Sequence, residues 1–201
     1  MRLKATKNNH RGTLFLIAEG EKPLGVLPKK KLCEFTLGEG ENDIDLKGYQ
    51  ELVESIIKHA FARLLSYLGR AEHSNLQCTY FLRKIPLCAE FIPQVLEKAV
   101  SRDFVNDSRF ARMIVQKDIL RNKSKGYIIN SLVSKGISKS DYEPALQKCY
   151  TAKRFEIAKT NLQKAKRKFA NVKNKFQKDR KILEFMKRRG FSYSEIVEAD
   201  N

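Results

Sequence analysis

The sequence predicts an all-α protein of tandem three-helix repeats, set as an elongated, curved array behind a small N-terminal segment with short β-strands. Three features carry that expectation. From Tyr49 onward apolar residues recur at helical spacing, as in Leu52, Ile56, Phe61, Leu64, Leu65 and Leu68. One corner is written twice, as Gly136-Ile137-Ser138 and Gly190-Phe191-Ser192, each after a helical run with basic residues near its end. Apolar positions also superpose at a fixed offset: Leu82 on Leu132 and Ile92 on Tyr142 at fifty residues, then Leu132 on Met186 and Tyr142 on Ile196 at fifty-four. A period of that size belongs to helical repeats, in which each unit buries its apolar stripe against the next.

Residues 1–50 read as a strand-and-loop cap of nearly balanced charge, nine basic against seven acidic residues. Thr13 to Ala18 is β-branched and aromatic and reads as a strand. "EGEK" is a turn, and Leu24 to Leu27 is the returning strand. Glycines 38, 40 and 48 punctuate the loops that follow.

The first repeat is expected over 51–104. Its first helix breaks near Gly69. Ser74 caps the second, with Gln77 three residues on as capping-box partner, and Pro86 stops it. A third helix covers about 89–100. The second repeat, 105–150, opens with Asp107 as N-cap and Phe110, Ile114 and Val115 on the buried face. Ser124 caps "KGYIINSLVSKG", and Gly136 ends that helix in a left-handed conformation open to glycine. Ile137 plugs the gap and Ser138 caps the next helix; Gly190, Phe191 and Ser192 repeat those roles. The third repeat, 151–201, is expected to start with one long amphipathic helix, its apolar side running through Phe155, Ile157, Leu162, Phe169 and Phe176.

The formal net charge is +17, of which residues 151–190 supply +12 through fifteen Lys or Arg against three acids. Between Lys153 and Lys178 only Glu156 offsets the cations. A face kept merely soluble would mix its signs, so an acidic partner is the better reading: nucleic acid or a nucleoprotein rather than a membrane.

Cys33, Cys78, Cys88 and Cys149 form no CxxC pair and read as buried free thiols, and the three histidines add no ligand spacing. Asp43 and Asp45 read as a solvated acidic loop, not a metal pair. No catalytic constellation, cofactor or metal site is expected. The six-residue run "TLFLIA" is too short for a signal peptide, and no stretch is long enough to span a membrane, so a cytoplasmic monomer is expected.

The runs "LLSYLGRAEHSNLQCTYFLRK", "SRDFVNDSRFARMIVQ", "SKGYIINSLVSKGIS" and "LEFMKRRGFSYSEIVEA", in that order, resemble the RecX family, over nearly the whole chain. The resemblance implies an all-helical, non-catalytic modulator of the recombinase RecA. Such a protein binds RecA or its filament on single-stranded DNA, and inhibits strand exchange, ATPase and coprotease activity. It also implies that some members bind DNA directly, single- or double-stranded. Arg70 and Ser74 match the family before the second helix. Phe104, Asp107, Arg109, Phe110 and Ala111 match its most characteristic run. Gly126, Leu132, Lys135 and Gly136 match the second unit, and Arg188, Arg189, Gly190 and Phe191 the terminal corner. Gln77 stands where the family has Glu, and Lys84-Ile85-Pro86 where it ends a helix with Lys-Gly.

The cations expected to meet DNA phosphates or an acidic RecA surface are Arg109, Arg112, Lys123 and Lys125 in the second repeat, and Lys164, Arg167, Lys168, Arg188 and Arg189 in the third. Two alternatives remain. One is a sequence-nonspecific nucleic-acid-binding repeat protein that acts without RecA; the other is an inert scaffold.

Overall fold

The computed structural model describes residues 1–8 and 14–200. His10 and Thr13 lie outside them. The chain divides into two compact units, Met1–Asn106 and Asp107–Asn201.

The first unit opens with four strands, β1 (Arg2–Lys7), β2 (Leu14–Glu19), β3 (Lys22–Pro28) and β4 (Gly40–Asp43), with the short helix α1 (Lys29–Glu34) between the last two. The sheet is antiparallel throughout, in the order β3-β2-β1-β4. Alternation along β1 and β2 turns Leu3, Ala5, Phe15 and Ile17 to one buried face. Helix α2 (Leu46–Leu68) lays Leu52 and Ile56 onto that core. Gly25 permits the approach, because a Cβ there would sit 2.3 Å from Ile56 Cγ2. Two strands were expected; β1 and β4 are additional. β1 shows only two apolar residues among charged and polar ones, and β4 is a solvent-facing edge.

Helices α2, α3 (Asn75–Arg83) and α4 (Ile92–Ser101) enclose a second core around Leu64, Cys78, Leu82 and Val95. Ser74 and Gln77 form the expected capping box: Gln77 N–H donates to Ser74 Oγ at 3.2 Å, and Ser74 N–H to Gln77 Oε1 at 3.0 Å. The corner at Lys84-Ile85-Pro86 closes without a left-handed residue, unlike the glycine corners.

The second unit holds two triplets. The first is α5 (Asp107–Leu120), α6 (Lys125–Val133) and α7 (Lys139–Ala145). The second is α8 (Arg154–Lys168), α9 (Lys175–Arg188) and α10 (Tyr193–Asp200). They share one core, in which Phe110, Ile128, Leu132, Leu146, Ile157, Leu162, Met186 and Phe191 are buried. Leu82, Leu132 and Met186, superposed by the sequence offset, are all fully buried, and the plugs Ile137 and Phe191 are buried too. Pro144 withholds one backbone donor inside α7, and the chain then widens into a π-type turn over Leu146–Tyr150.

Four expectations need correction. Asp107 is the first residue of α5 rather than the residue before it, although a carboxylate there still faces the positive helix end. The long basic helix is two helices. Phe169 ends α8 and packs edge-on against Phe185 at 6.0 Å, and Asn174 caps α9 by accepting from Gln177 N–H at 3.1 Å. The apolar stripe expected of that helix breaks with it, since Phe155 is 46% and Phe176 77% exposed. All four cysteines are free, but only Cys78 and Cys88 are buried; Cys149 is half-buried and Cys33 is exposed.

Among the described residues no helix is long and apolar enough to cross a membrane, and no three His, Cys, Asp or Glu side chains are grouped as metal ligands.

Candidate nucleic-acid interface

The charge follows the unit boundary. Asp107–Asn201 carries twenty-four Lys or Arg against ten Asp or Glu, a net of +14 of the total +17. Within this unit two helix corners meet. In the first, α5 ends on Asn122 in the left-handed region (φ 53°). Lys123 N–H donates to Asp118 O and Asn122 N–H to Ile119 O, both at 2.9 Å. Ser124 then caps α6 by accepting from Tyr127 N–H at 3.1 Å. These are the paired bonds of a Schellman termination, with Asn in the glycine role.

In the second corner, α9 ends on Gly190 (φ 81°). Gly190 N–H donates to Lys187 O at 2.9 Å and Phe191 N–H to Met186 O at 3.2 Å. Ser192 and Glu195 form a capping box over α10: Glu195 N–H donates to Ser192 Oγ at 3.3 Å, and Ser192 N–H to Glu195 Oε2 at 2.8 Å. Gly136 (φ 75°) and Ser138 build the same joint between α6 and α7.

The two corners are tied together. Ser124, fully buried, donates its hydroxyl to Arg189 O while accepting from α6. Helix α8 adds Asn161, 3% exposed, whose Nδ2 donates to Asn122 O and Ile157 O, each at 2.9 Å. Its Oδ1 accepts from Arg189 Nη1 at 3.2 Å. A buried amide with its hydrogen bonds made fixes all three elements in place.

Between them lies a cavity of about 300 Å³, and the cations at its wall are Arg121, Lys123, Lys164, Arg188 and Arg189. Tyr127 and Phe191 also line it, and Lys123 Nζ stands 4.2 Å over the Tyr127 ring. Among the described residues no carboxylate lies within ion-pair distance of Arg121, Lys123, Lys164 or Arg188. Arg154 and Lys166, also on α8, are paired with Glu198 and Asp200 of α10. A second hollow of about 360 Å³ adjoins and shares Arg188 and Arg189. There the Arg189 guanidinium lies 4.1 Å and Lys168 Nζ 5.3 Å from the Phe185 ring centre.

Of the nine cations expected from the sequence, Lys123, Lys164, Arg188 and Arg189 line the cavity, and Lys168 stands at the adjoining hollow. Arg112 lines a different depression, with Ser108, Gln116, Asp141 and Lys148. Arg109 on α5, Lys125 at the start of α6 and Arg167 on α8 line neither hollow. Phe110 lies in the core and plays a packing role. Sequence reasoning missed Arg121, Tyr127 and Asn161. Asn161 was open to detection as an amide inside the apolar stripe between Ile157 and Leu162.

No family model matches the chain. Curated relatives do. The regulatory protein RecX of Clostridium acetobutylicum is 29% identical over 160 residues, covering 77% of this chain and 74% of that protein. The regulatory protein RecX of Finegoldia magna is 30% identical over 159 residues, covering 75% of each. Among solved structures, a crystal structure of regulatory protein RecX superposes with a TM-score of 0.72 over 98% of both chains at 23% identity.

Proposed function

The chain belongs to the RecX family of regulatory proteins, and from that membership we propose that it regulates the RecA recombinase by binding RecA or the RecA–single-stranded-DNA filament. In this reading it lowers strand exchange, ATPase and coprotease activity, acting as a cytoplasmic monomer whose helix triplets are its functional repeats. The proteins of this family are regulators, not enzymes, and the reading requires no bond to be made or broken.

The observation that carries the RecA reading is the family membership; the convergence of Lys123, Lys164, Arg188 and Arg189 with Arg121 on one cavity, in a unit of net charge +14, supports that cavity as the point of contact. Unpaired cations facing a hollow suit phosphate oxygens, which arginine meets as a fork and lysine as a point charge. A bound phosphodiester or acidic RecA segment there would occlude a second strand through charge complementarity alone.

The alternative is nonspecific nucleic-acid binding without RecA, and the charge distribution alone favours neither. Affinity capture from a nuclease-treated bacterial lysate separates them. RecA retained on the immobilised chain, either from that lysate or after adding back RecA filaments assembled on single-stranded DNA, is the expected outcome; RecA retained in neither case overturns the proposal.

A further inference from the structure

We propose that the cavity between the α5–α6 corner, α8 and the α9–α10 corner is a socket for one nucleotide of a single DNA strand, its phosphate held by Arg121, Lys164 and Arg188 and its base stacked on Tyr127. The inference rests on the proposed function above and specifies what the cationic site recognises.

Four features point to a nucleotide rather than a bare phosphate. At about 300 Å³ the cavity lies at the small end of ligand sites and exceeds what one phosphate group fills. Its wall is mixed, holding both cations and the Tyr127 ring, as a charged group joined to a flat apolar one demands. Tyr127 is 45% exposed although Ser124, the cap its backbone N–H bonds, is buried, so the ring is presented rather than packed in the core. The polar floor is already satisfied: Asn161 and Ser124 spend their hydrogen bonds on backbone and on Arg189, and this holds the socket open without a ligand.

Lys123 makes the site responsive. Its ammonium covers the Tyr127 ring at 4.2 Å. A cation–π contact at an exposed ring is weaker than a base stacked on the same ring. An entering phosphate draws Lys123 off the ring, and the base takes its place. A duplex cannot deliver a base to Tyr127 without first unstacking it, so the socket favours single strands.

The test measures binding of the full chain to three probes at low salt by fluorescence anisotropy. They are a short oligothymidylate, the same strand with abasic sites for bases, and a duplex of equal length. Tyr127→Ala is expected to weaken binding to the oligothymidylate on the order of tenfold and to leave the abasic strand and the duplex within about twofold. Tyr127→Phe keeps wild-type affinity for all three. Because the ring is half exposed, both variants are expected to fold, which circular dichroism checks. Equal losses on all three probes, or no loss on any, overturn the socket. Deoxythymidine monophosphate competing as well as the strand would also overturn it, since the site would then serve a free nucleotide. If wild-type protein binds none of the probes yet still lowers RecA ATPase, the socket alone falls. If it also leaves RecA unaffected, the parent reading falls with it.

Discussion

Gly126 and Gly190 meet backbone to backbone: a Cβ on Gly126 would lie 2.9 Å from the carbonyl oxygen of Gly190. The start of α6 and the end of α9 therefore touch where neither can carry a side chain, and the cavity opens beside that contact. Gly126→Ala forces the corners apart and is expected to cost about 1–3 kcal/mol. Gly190→Ala adds left-handed strain at φ 81°, and its Cβ would come within 2.8 Å of Ser124 Oγ. Thermal unfolding should show a loss of about 2–4 °C per kcal/mol in a chain of this size. An unchanged melting temperature for both variants would mean that the corners are not in contact.

Asn161 holds the corners from beneath. Asn161→Ala removes the donor to Asn122 O and the acceptor for Arg189 Nη1. A stability loss of about 1–3 kcal/mol is expected from the unsatisfied partners, with weaker binding of single-stranded DNA. Denaturant titration measures the first and anisotropy the second. Full affinity in a destabilised variant would separate Asn161 from the site.

Tyr150 gives the second unit an alkaline limit. Burial first, then the nearby Glu195 carboxylate, pushes its hydroxyl up to about 12 from the ordinary 10.0. Its hydroxyl donates to Glu195 Oε1 at 3.4 Å. The folded state holds this proton more tightly than the unfolded chain, so the contribution is complete below pH 10 and is lost as pH rises towards 12. The loss is on the order of 2–3 kcal/mol. Urea unfolding at a series of pH values should show the fall in wild type, and Tyr150→Phe should flatten it between pH 10 and 12. An equal slope in the variant contradicts the assignment.

Each phosphate contact adds to the salt dependence of binding. The double variant Lys164→Ala, Arg188→Ala is expected to reduce the log–log salt slope for single-stranded DNA by about 1.4, at about 0.7 per contact. Lys58→Ala, in the first unit and paired with Glu54 at 3.2 Å, should leave the slope unchanged. Equal slopes for the two variants would show that charge acts without regard to place.

What the sequence made legible is what is local. Ser74 with Gln77, and the corners at Gly136-Ser138 and Gly190-Ser192, are complete within a few residues, and each forms as its chemistry requires. The break between α8 and α9 escaped detection because no Gly or Pro marks it. It depends on the Asn174 cap and on Phe169 turning back to Phe185, sixteen residues on. Strands β1 and β4 were missed for a related reason: each is defined by its pairing partner, and Leu3 and Ala5 alone make a weak pattern. The cationic cavity was half legible. Charge density marked Lys164, Arg188 and Arg189, but Arg121 and Tyr127 join them only through contacts spanning 39 and 65 residues, from Asn161 to Asn122 and from Ser124 to Arg189.

The DNA-dependent ATPase of RecA, followed at low salt while the chain is titrated in, bears directly on regulation through the cationic cavity. Turnover is expected to fall with wild-type protein and to recover when Lys164 and Arg188 are changed to Glu in a folded variant. Unaltered RecA turnover at saturating wild-type protein, with binding to single-stranded DNA intact, would contradict that reading and leave a nucleic-acid-binding protein that acts without RecA.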